Sequence, residues 1–443
     1  MTLALPSRRS ALLPGRWASN ELWRRARAVP SLDLRFAENK SLVDAITGAN
    51  LVTFTRASAG TYVGSDGLIK TATTDAPRFD HNPTTGESLG LLVEESRSNS
   101  IRNNTMVGAV AGTPGTLPTN WTIVGSLGTL TQAVVGSGTS AGIAYIDVRF
   151  SGTTSTGAVG VQFEGFTQIA ASSGQTWTGS FWVSRVAGST TNLNAVSIRV
   201  HERDVVGASL ANTSVDFLST LSTTLARNTA TRTMVSASTA FVTLDVLLVF
   251  ASGVSIDITL RIGLPQLEQG AFATSVIPTS GTAVTRAADV ASIAGANFSS
   301  WFNASEGSLF VSADRQQQIP ATDFAQLFFM HDGSNNNTIS LGWLTSGSGQ
   351  FRVRAVSANE ANLLDFSTAL SRRIAGAYAV NNAASSINGS SPSSDLSVAL
   401  PTGINTVSIG SDQQGLTRHN GTIRRLTFWP QRLSNNVLQA LTR

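Results

Sequence analysis

The sequence predicts an all-β protein: two β-sandwich domains of jelly-roll type, preceded by an extended N-terminal arm and a turn-rich lead-in module. Three observations predict this. Short runs that alternate apolar and polar residues recur through most of the chain, as strands with one buried face require. Gly, Ser, Asn and Thr break these runs at roughly 8–12-residue spacing, the pattern of sandwiches and barrels. Ser and Thr supply 105 of the 443 residues, and Thr suits a pleated surface.

The elements follow in chain order. Residues 1–30 read as an arm, and 31–105 as a lead-in module with turn signals at Ser65-Asp66-Gly67, Asn82-Pro83 and Thr85-Gly86. The first sandwich is expected over 106–285. It holds alternating runs at Ile143–Phe150, Thr176–Val186, Ala195–His201 and Val254–Ile262. Thr239–Phe250 is more continuously apolar, as a strand buried on both faces would be. Residues 286–300 read as a linker. The second sandwich, 301–443, contains alternating runs at Gly307–Ala313 and Phe351–Ala355, and Asn381–Ser394 reads as a loop of small and polar residues.

Composition removes several classes. With no Cys there is neither a disulfide framework nor a thiolate metal site. No apolar run approaches the length of a membrane-spanning helix. At 41% hydrophobic and a net charge of +4, the chain is not intrinsically disordered.

The charge is unevenly placed. The arm holds Arg8, Arg9, Arg16, Arg24, Arg25 and Arg27 against Glu21, which makes it +5, so the remaining residues sum to −1. A nearly neutral body is no general polyanion binder, and no nucleic-acid partner and no membrane insertion are expected. Trp17 and Trp23 lie among these arginines, and Trp with Arg is the composition of interface hot spots. We read the arm as a docking peptide for a larger assembly, with Arg8, Arg9, Arg16, Trp17, Trp23, Arg24, Arg25 and Arg27 as its contacts. A solvated tail, a nucleic-acid arm and an export signal are the other readings.

Two strings carry a resemblance. The first runs from Leu32-Asp33-Leu34-Arg35-Phe36 through Thr55-Arg56-Ala57-Ser58-Ala59-Gly60-Thr61-Tyr62 and Pro77-Arg78-Phe79-Asp80-His81 to Gly90-Leu91-Leu92-Val93-Glu94-Glu95-Ser96-Arg97-Ser98-Asn99. It resembles a module found in bacteriophage and prophage virion proteins of the tail-fibre type. The second runs from Gln266-Leu267-Glu268-Gln269-Gly270 through Ile277-Pro278-Thr279 to Thr285-Arg286-Ala287-Ala288-Asp289, and resembles the segment that closes a carbohydrate-binding-module-like sandwich in such proteins. Gly307-Ser308-Leu309-Phe310-Val311 and Gly421–Trp429 resemble the first and last strands of a concanavalin-A-like or laminin-G-like jelly roll. The resemblance implies a virion component, assembled in the bacterial cytoplasm and exposed on the particle. It would dock to other virion proteins by its N-terminus, form a homotrimer and bind host-surface polysaccharide. A polysaccharide depolymerase and a purely structural head or tail decoration are the alternatives.

Catalytic patterns are thin, and no catalytic residue or metal site is assigned. His81, His201, His331 and His419 are scattered without metal-ligand spacing. Glu94-Glu95 reads as structural within its string. Saccharides are bound by aromatic faces and by Asn, Asp and Arg side chains, so the candidate glycan-binding residues are Trp182, Trp343, Asp332 and Asn335. Trp182 falls on the strand face opposite Trp177, Phe181 and Val183. Trp343 follows the loop Asp332-Gly333-Ser334-Asn335-Asn336-Asn337, where Asp332 and Asn335 also have the oxygen chemistry to ligate calcium. No other cofactor is expected. Trp121 and Trp429 are expected in the cores.

Overall fold

The computed structural model describes residues 21–315, 324–344, 348–365 and 369–443. Among the described residues the protein is nearly all β, in several antiparallel sheets with no barrel. Its chain builds two units that interleave in sequence. The terminal unit takes the residues up to Phe54, Ser88–Val93 and Val290–Arg443, and the central unit takes Thr55–Glu87 and Glu94–Asp289. Residues 31–105 thus belong partly to each unit rather than forming a module of their own. Residues 286–300 are not a linker: Val290–Ala294 is a strand paired with Thr406–Ile409, and Ala296–Ser299 is a helical turn.

Among the described residues, the central unit holds two five-stranded antiparallel sheets. One has the order Ala226–Thr233, Thr176–Gly188, Ser255–Gln269, Ile143–Thr153, Thr131–Ser140. The other has the order Ser209–Asp216, Leu193–Arg203, Phe241–Phe250, Ala158–Gln162, Thr122–Gly125. The alternation decides which side chains meet between them. Trp177, Phe181 and Val183 enter the core together with Ile198, Val200, Leu244 and Val246. Phe163 anchors it, edge-on to Trp121 at 4.7 Å and to Phe181 at 5.4 Å, an arrangement that adds to the burial of the rings. Phe241–Phe250 is buried on both faces along most of its length.

In the terminal unit, one sheet runs Ser393–Asp395, Ala383–Ile387, Ser371–Ala379, Glu306–Arg315, Gly421–Trp429. Both Leu32–Leu34 and Ser88–Val93 pair with Gly421–Trp429. The pairing with Ser88–Val93 needs a glycine at position 90, where φ is +95° and a Cβ would lie 2.2 Å from the Ile423 carbonyl oxygen. The second sheet runs Val290–Ala294, Thr406–Ile409, Ala325–His331, Thr338–Trp343, Gly349–Ala355, Ala358–Asp365. Trp301 joins the two sheets, with ring centroids 5.0 Å from Phe428 and 6.3 Å from Phe328.

The other face of the first sheet is covered by helices. Glu21–Ala26 and Asn435–Thr442 bury Leu22, Trp23, Leu438 and Leu441 against Phe310, Ala375, Ala377, Ala384 and Trp429. This corrects the expectation of a loop at Asn381–Ser394. Its alanines and serines form the strand Ala383–Ile387, and their small size lets the C-terminal helix approach, with Thr442 Oγ1 3.0 Å from Ser386 Oγ.

Candidate functional site

The conspicuous polar residues of the two resemblance strings meet in the central unit as one buried ion cluster. Asp289 takes Arg56 Nη1 at 3.1 Å and also bonds Arg78 Nη2. Glu94 takes Arg78 Nη1 at 2.8 Å and Arg286 Nη2 at 3.4 Å, and accepts from Ser275 N and Oγ at 2.8 and 2.6 Å. All five charged side chains are essentially inaccessible to solvent. Burial pushes the Glu94 carboxyl up, but Arg286, Arg78 and the Ser275 bonds outweigh it and hold the group at about 2. Every oxygen of Glu94 is engaged, so its chemistry is that of a clamp between distant segments. Glu95 pairs instead with Arg97.

The expected glycan-binding residues are placed as follows. Trp343 is fully buried: its Nε1 donates to His419 Nδ1 at 3.1 Å, and its rings are flanked by the guanidiniums of Arg315 and Arg372 at 5.0 and 4.6 Å. It is a core residue and presents no face to a sugar. Trp182 is half-buried beside Ile143, Leu264 and Val276, and Arg227 lies over its ring at 4.7 Å while bonding Thr274 O and Ser180 Oγ. That face is taken. Asp332 turns both carboxylate oxygens into its own loop, Oδ1 accepting from Ser334 N and Oγ and Oδ2 from Asn337 Nδ2. Those bonds hold its carboxyl below the usual range. Among the described residues no three His, Asp or Glu side chains cluster. Asn335 does reach a cavity.

Of the expected docking residues, Arg8, Arg9, Arg16 and Trp17 lie outside the described residues. Trp23 is not a free contact: it is 2% exposed and donates from Nε1 to Asp33 Oδ2 at 3.0 Å. Arg25 ties its helix to the C-terminus through Ala440 O and Arg443 O at 2.9 and 2.7 Å. Arg24 and Arg27 are exposed.

The cavity that Asn335 lines belongs to the terminal unit, on the face of the second sheet turned away from the first. Strand register builds it. Phe329, Ser340 and Arg352 stand in one row across three strands, and His331, Thr338 and Arg354 in the next. The loops Asp332–Asn337 and Ser411–His419 flank these rows, contributing Asn335, Asp412 and Thr417. The cavity volume is about 150 Å³, and Gln326 and Phe324 complete the lining.

Three buried atoms in this lining have no hydrogen-bond partner among the described residues: Gln326 Oε1, Arg352 Nε and Thr417 Oγ1. Thr338 Oγ1 and Ser340 Oγ, on the strand between, are in the same condition. Each such atom costs about 1–3 kcal/mol if left without a partner. Three of them would cost about 3–9 kcal/mol, against a typical total stability of about 5–15 kcal/mol. Groups arranged this way are suited to bonding something that enters the cavity.

Two larger grooves lack that property. One in the central unit, about 640 Å³, is lined by Glu95, Arg97, Gln175 and Trp177. There Trp177 Nε1 donates to Gln175 Oε1 at 3.1 Å and Arg97 bonds Glu95. The other, in the terminal unit, about 290 Å³, is rich in arginine. Its Arg35 and Arg425 share Asp33 at 2.8 and 2.6 Å, and its Arg424 pairs with Asp314. Size favours these grooves, but their polar groups serve each other.

Sequence reasoning reached Asn335 and missed Gln326, Arg352, Arg354, Asp412 and Thr417. A signal was present in Phe351-Arg352-Val353-Arg354-Ala355, where alternation puts two arginines on one strand face with no acid in the run.

No protein-family model matches the chain, and no curated protein matches it. Among solved structures, the CBM40 carbohydrate-binding module of the Ruminococcus gnavus IT-sialidase, bound to α2,3-sialyllactose, aligns at 16% identity with a TM-score of 0.28, over 32% of this chain and 84% of that one. A leech intramolecular trans-sialidase aligns at 16% identity and TM-score 0.28, over 32% of this chain and 23% of that one. The α-L-arabinofuranosidase MgGH51 aligns at 18% identity and TM-score 0.29, over 42% and 27%. These neighbours are carbohydrate-binding modules or glycosidase chains. At this level of similarity they carry no statement about a ligand of this chain.

Proposed function

We propose that this chain is a saccharide-binding component of a surface appendage on a virus particle, with the outward face of the second sheet of the terminal unit as its binding site. One observation carries the binding claim: Gln326, Arg352 and Thr417, which line this cavity, each hold a buried polar atom with no hydrogen-bond partner among the described residues, and Phe324 adds exposed apolar surface beside them. Saccharides offer that combination of hydroxyls and C–H faces. Among the described residues the cavity lining holds a single carboxylate, Asp412, whose Oδ1 accepts from Gln414 N and Leu416 N at 3.1 and 2.8 Å. Glycoside cleavage ordinarily uses two carboxyl groups, so the reading is for binding at this face. The virion setting rests on the two sequence strings. Docking through the N-terminal arm and a homotrimeric appendage are part of the proposal, since several weak sites gain avidity through effective concentration.

The test is an array of bacterial surface polysaccharides probed with the labelled full chain and with Gln326→Ala and Asn335→Ala variants. The reading expects binding by the parent chain that drops about tenfold or more in the variants, the loss of roughly one good polar contact. Binding untouched by either substitution, but lost on changing Gln175 in the other groove, would move the site and overturn this assignment.

A further inference from the structure

We infer that the saccharide taken by this face carries a negatively charged oxo group, a carboxylate or a sulfate ester, seated against Arg352. This rests on the proposed saccharide-binding reading and names the class of ligand within it.

The pairing of arginines in this molecule sets the contrast. Arg56 and Arg78 pair with Asp289, Arg199 with Asp245 at 2.8 Å, and Arg232 with Glu202. Buried guanidiniums are costly to desolvate, and a carboxylate partner is the usual remedy. Arg352 departs from that pattern, as do Arg227 and Arg432, which bond carbonyl, hydroxyl and amide oxygens instead. Among the described residues no carboxylate lies within ion-pair distance of Arg352, and its Nε is buried without a hydrogen-bond partner. Another cation, Arg354, acts on it from two residues along on the same face, and gives its Nε to Ser357 O at 3.0 Å.

Two like charges on one strand face repel, and an anion between or beside them removes that repulsion while filling the unused donor positions. The guanidinium fork matches a planar or tetrahedral oxo group through two parallel bonds, which an ammonium does not reproduce. The carboxylate of the lining uses one oxygen within its own loop. Asp412 caps its own turn through Gln414 N and Leu416 N. The volume sets the scale. About 150 Å³ corresponds to about five waters at liquid density. That is room for one charged substituent with part of its ring, the rest of a polymer running outside. Asn335 and Gln326 stand beside this place with amide groups suited to ring hydroxyls.

The experiment titrates the full chain calorimetrically with three oligosaccharides of equal length: a neutral oligogalactoside, its uronic-acid counterpart oligogalacturonate, and a sulfated oligogalactoside. The inference expects one of the charged probes to bind at least tenfold more tightly than the neutral one, with an affinity that weakens as salt rises. Whether oligogalacturonate or the sulfated probe wins identifies the oxo group. Arg352→Gln should erase the preference. Arg352→Lys keeps the charge without the fork and should retain a reduced preference, so it carries the test if the Gln variant does not fold. Equal affinity for charged and neutral probes, unchanged in Arg352→Gln, would overturn the inference and leave the saccharide site standing. If no saccharide binds, charged or neutral, the reading beneath it falls as well.

Discussion

Glu94 shows how one side chain can hold distant segments of a chain together. Its carboxylate serves Arg78, Arg286 and Ser275, and Asp289 serves Arg56 and Arg78, all away from solvent. Replacing Glu94 by Gln leaves two buried guanidiniums short of a counter-charge. We predict a loss of about 3–5 kcal/mol, the cost of breaking a buried pair from one side, read from urea unfolding of the parent and Glu94→Gln chains. A change within experimental error would show that the cluster does not stabilise the fold. His419 supplies a pH-dependent counterpart. Its Nδ1 must accept from Trp343 Nε1 while its Nε2 faces Thr422 O at 3.2 Å, so the ring is neutral with the proton on Nε2. Burial pushes its pKa down to about 4, from an ordinary value of about 6.5. The unfolded chain therefore binds the proton more readily. The stability from this group is complete above about pH 6.5 and declines as pH falls through 4, by up to about 3 kcal/mol. His419→Gln keeps an acceptor for Trp343 and a donor for Thr422, and thermal unfolding between pH 4 and 7 should be flatter in that variant.

At the level of elements, the strands were legible in the sequence because period-two alternation survives wherever one face is buried. Ile143–Phe150 lies within the strand Ile143–Thr153, and Ala195–His201 within Leu193–Arg203. The same rule located Trp177, Phe181 and Val183 in the core and Trp182 on the opposite face. What alternation cannot reveal is what covers an outward face. Trp182 points away from the core as its position requires, yet Arg227 covers it. Ala383–Ile387 escaped notice because its small residues carry almost no hydropathy contrast, although their size is what admits the C-terminal helix. The N-terminal helix Glu21–Ala26 was read from its arginines and Trp23 as part of a docking arm, while its packing depends on Trp23 between Asp33 and the outer sheet face. Trp23→Ala should destabilise the terminal unit by about 3 kcal/mol, in the range for losing a large buried aromatic. Faster amide exchange across Asn435–Thr442 should accompany it. An unperturbed melt would return Trp23 to the role of an exposed contact.

At the scale of the whole molecule, the chain passes between its two units at residues 54/55, 87/88, 93/94 and 289/290. That interleaving was hidden from a sequential reading. The residues that reveal it, Arg56, Arg78, Glu94 and Asp289, are far apart in sequence and show their relation only once they pair. The candidate site was hidden for the same reason. Asn335 stood out in an Asn-rich loop, but Gln326, Arg352 and Thr417 join it only through strand register and a flanking loop. The account therefore turns on whether this face holds a saccharide. The most direct measurement is a crystal structure of the full chain soaked with the best-binding oligosaccharide from the array. The account predicts saccharide density over the second sheet of the terminal unit, with ligand oxygens within hydrogen-bond distance of Gln326 and Arg352 and a ring against Phe324. Density only at the Trp177 groove, or at no ordered site on the chain, would contradict it.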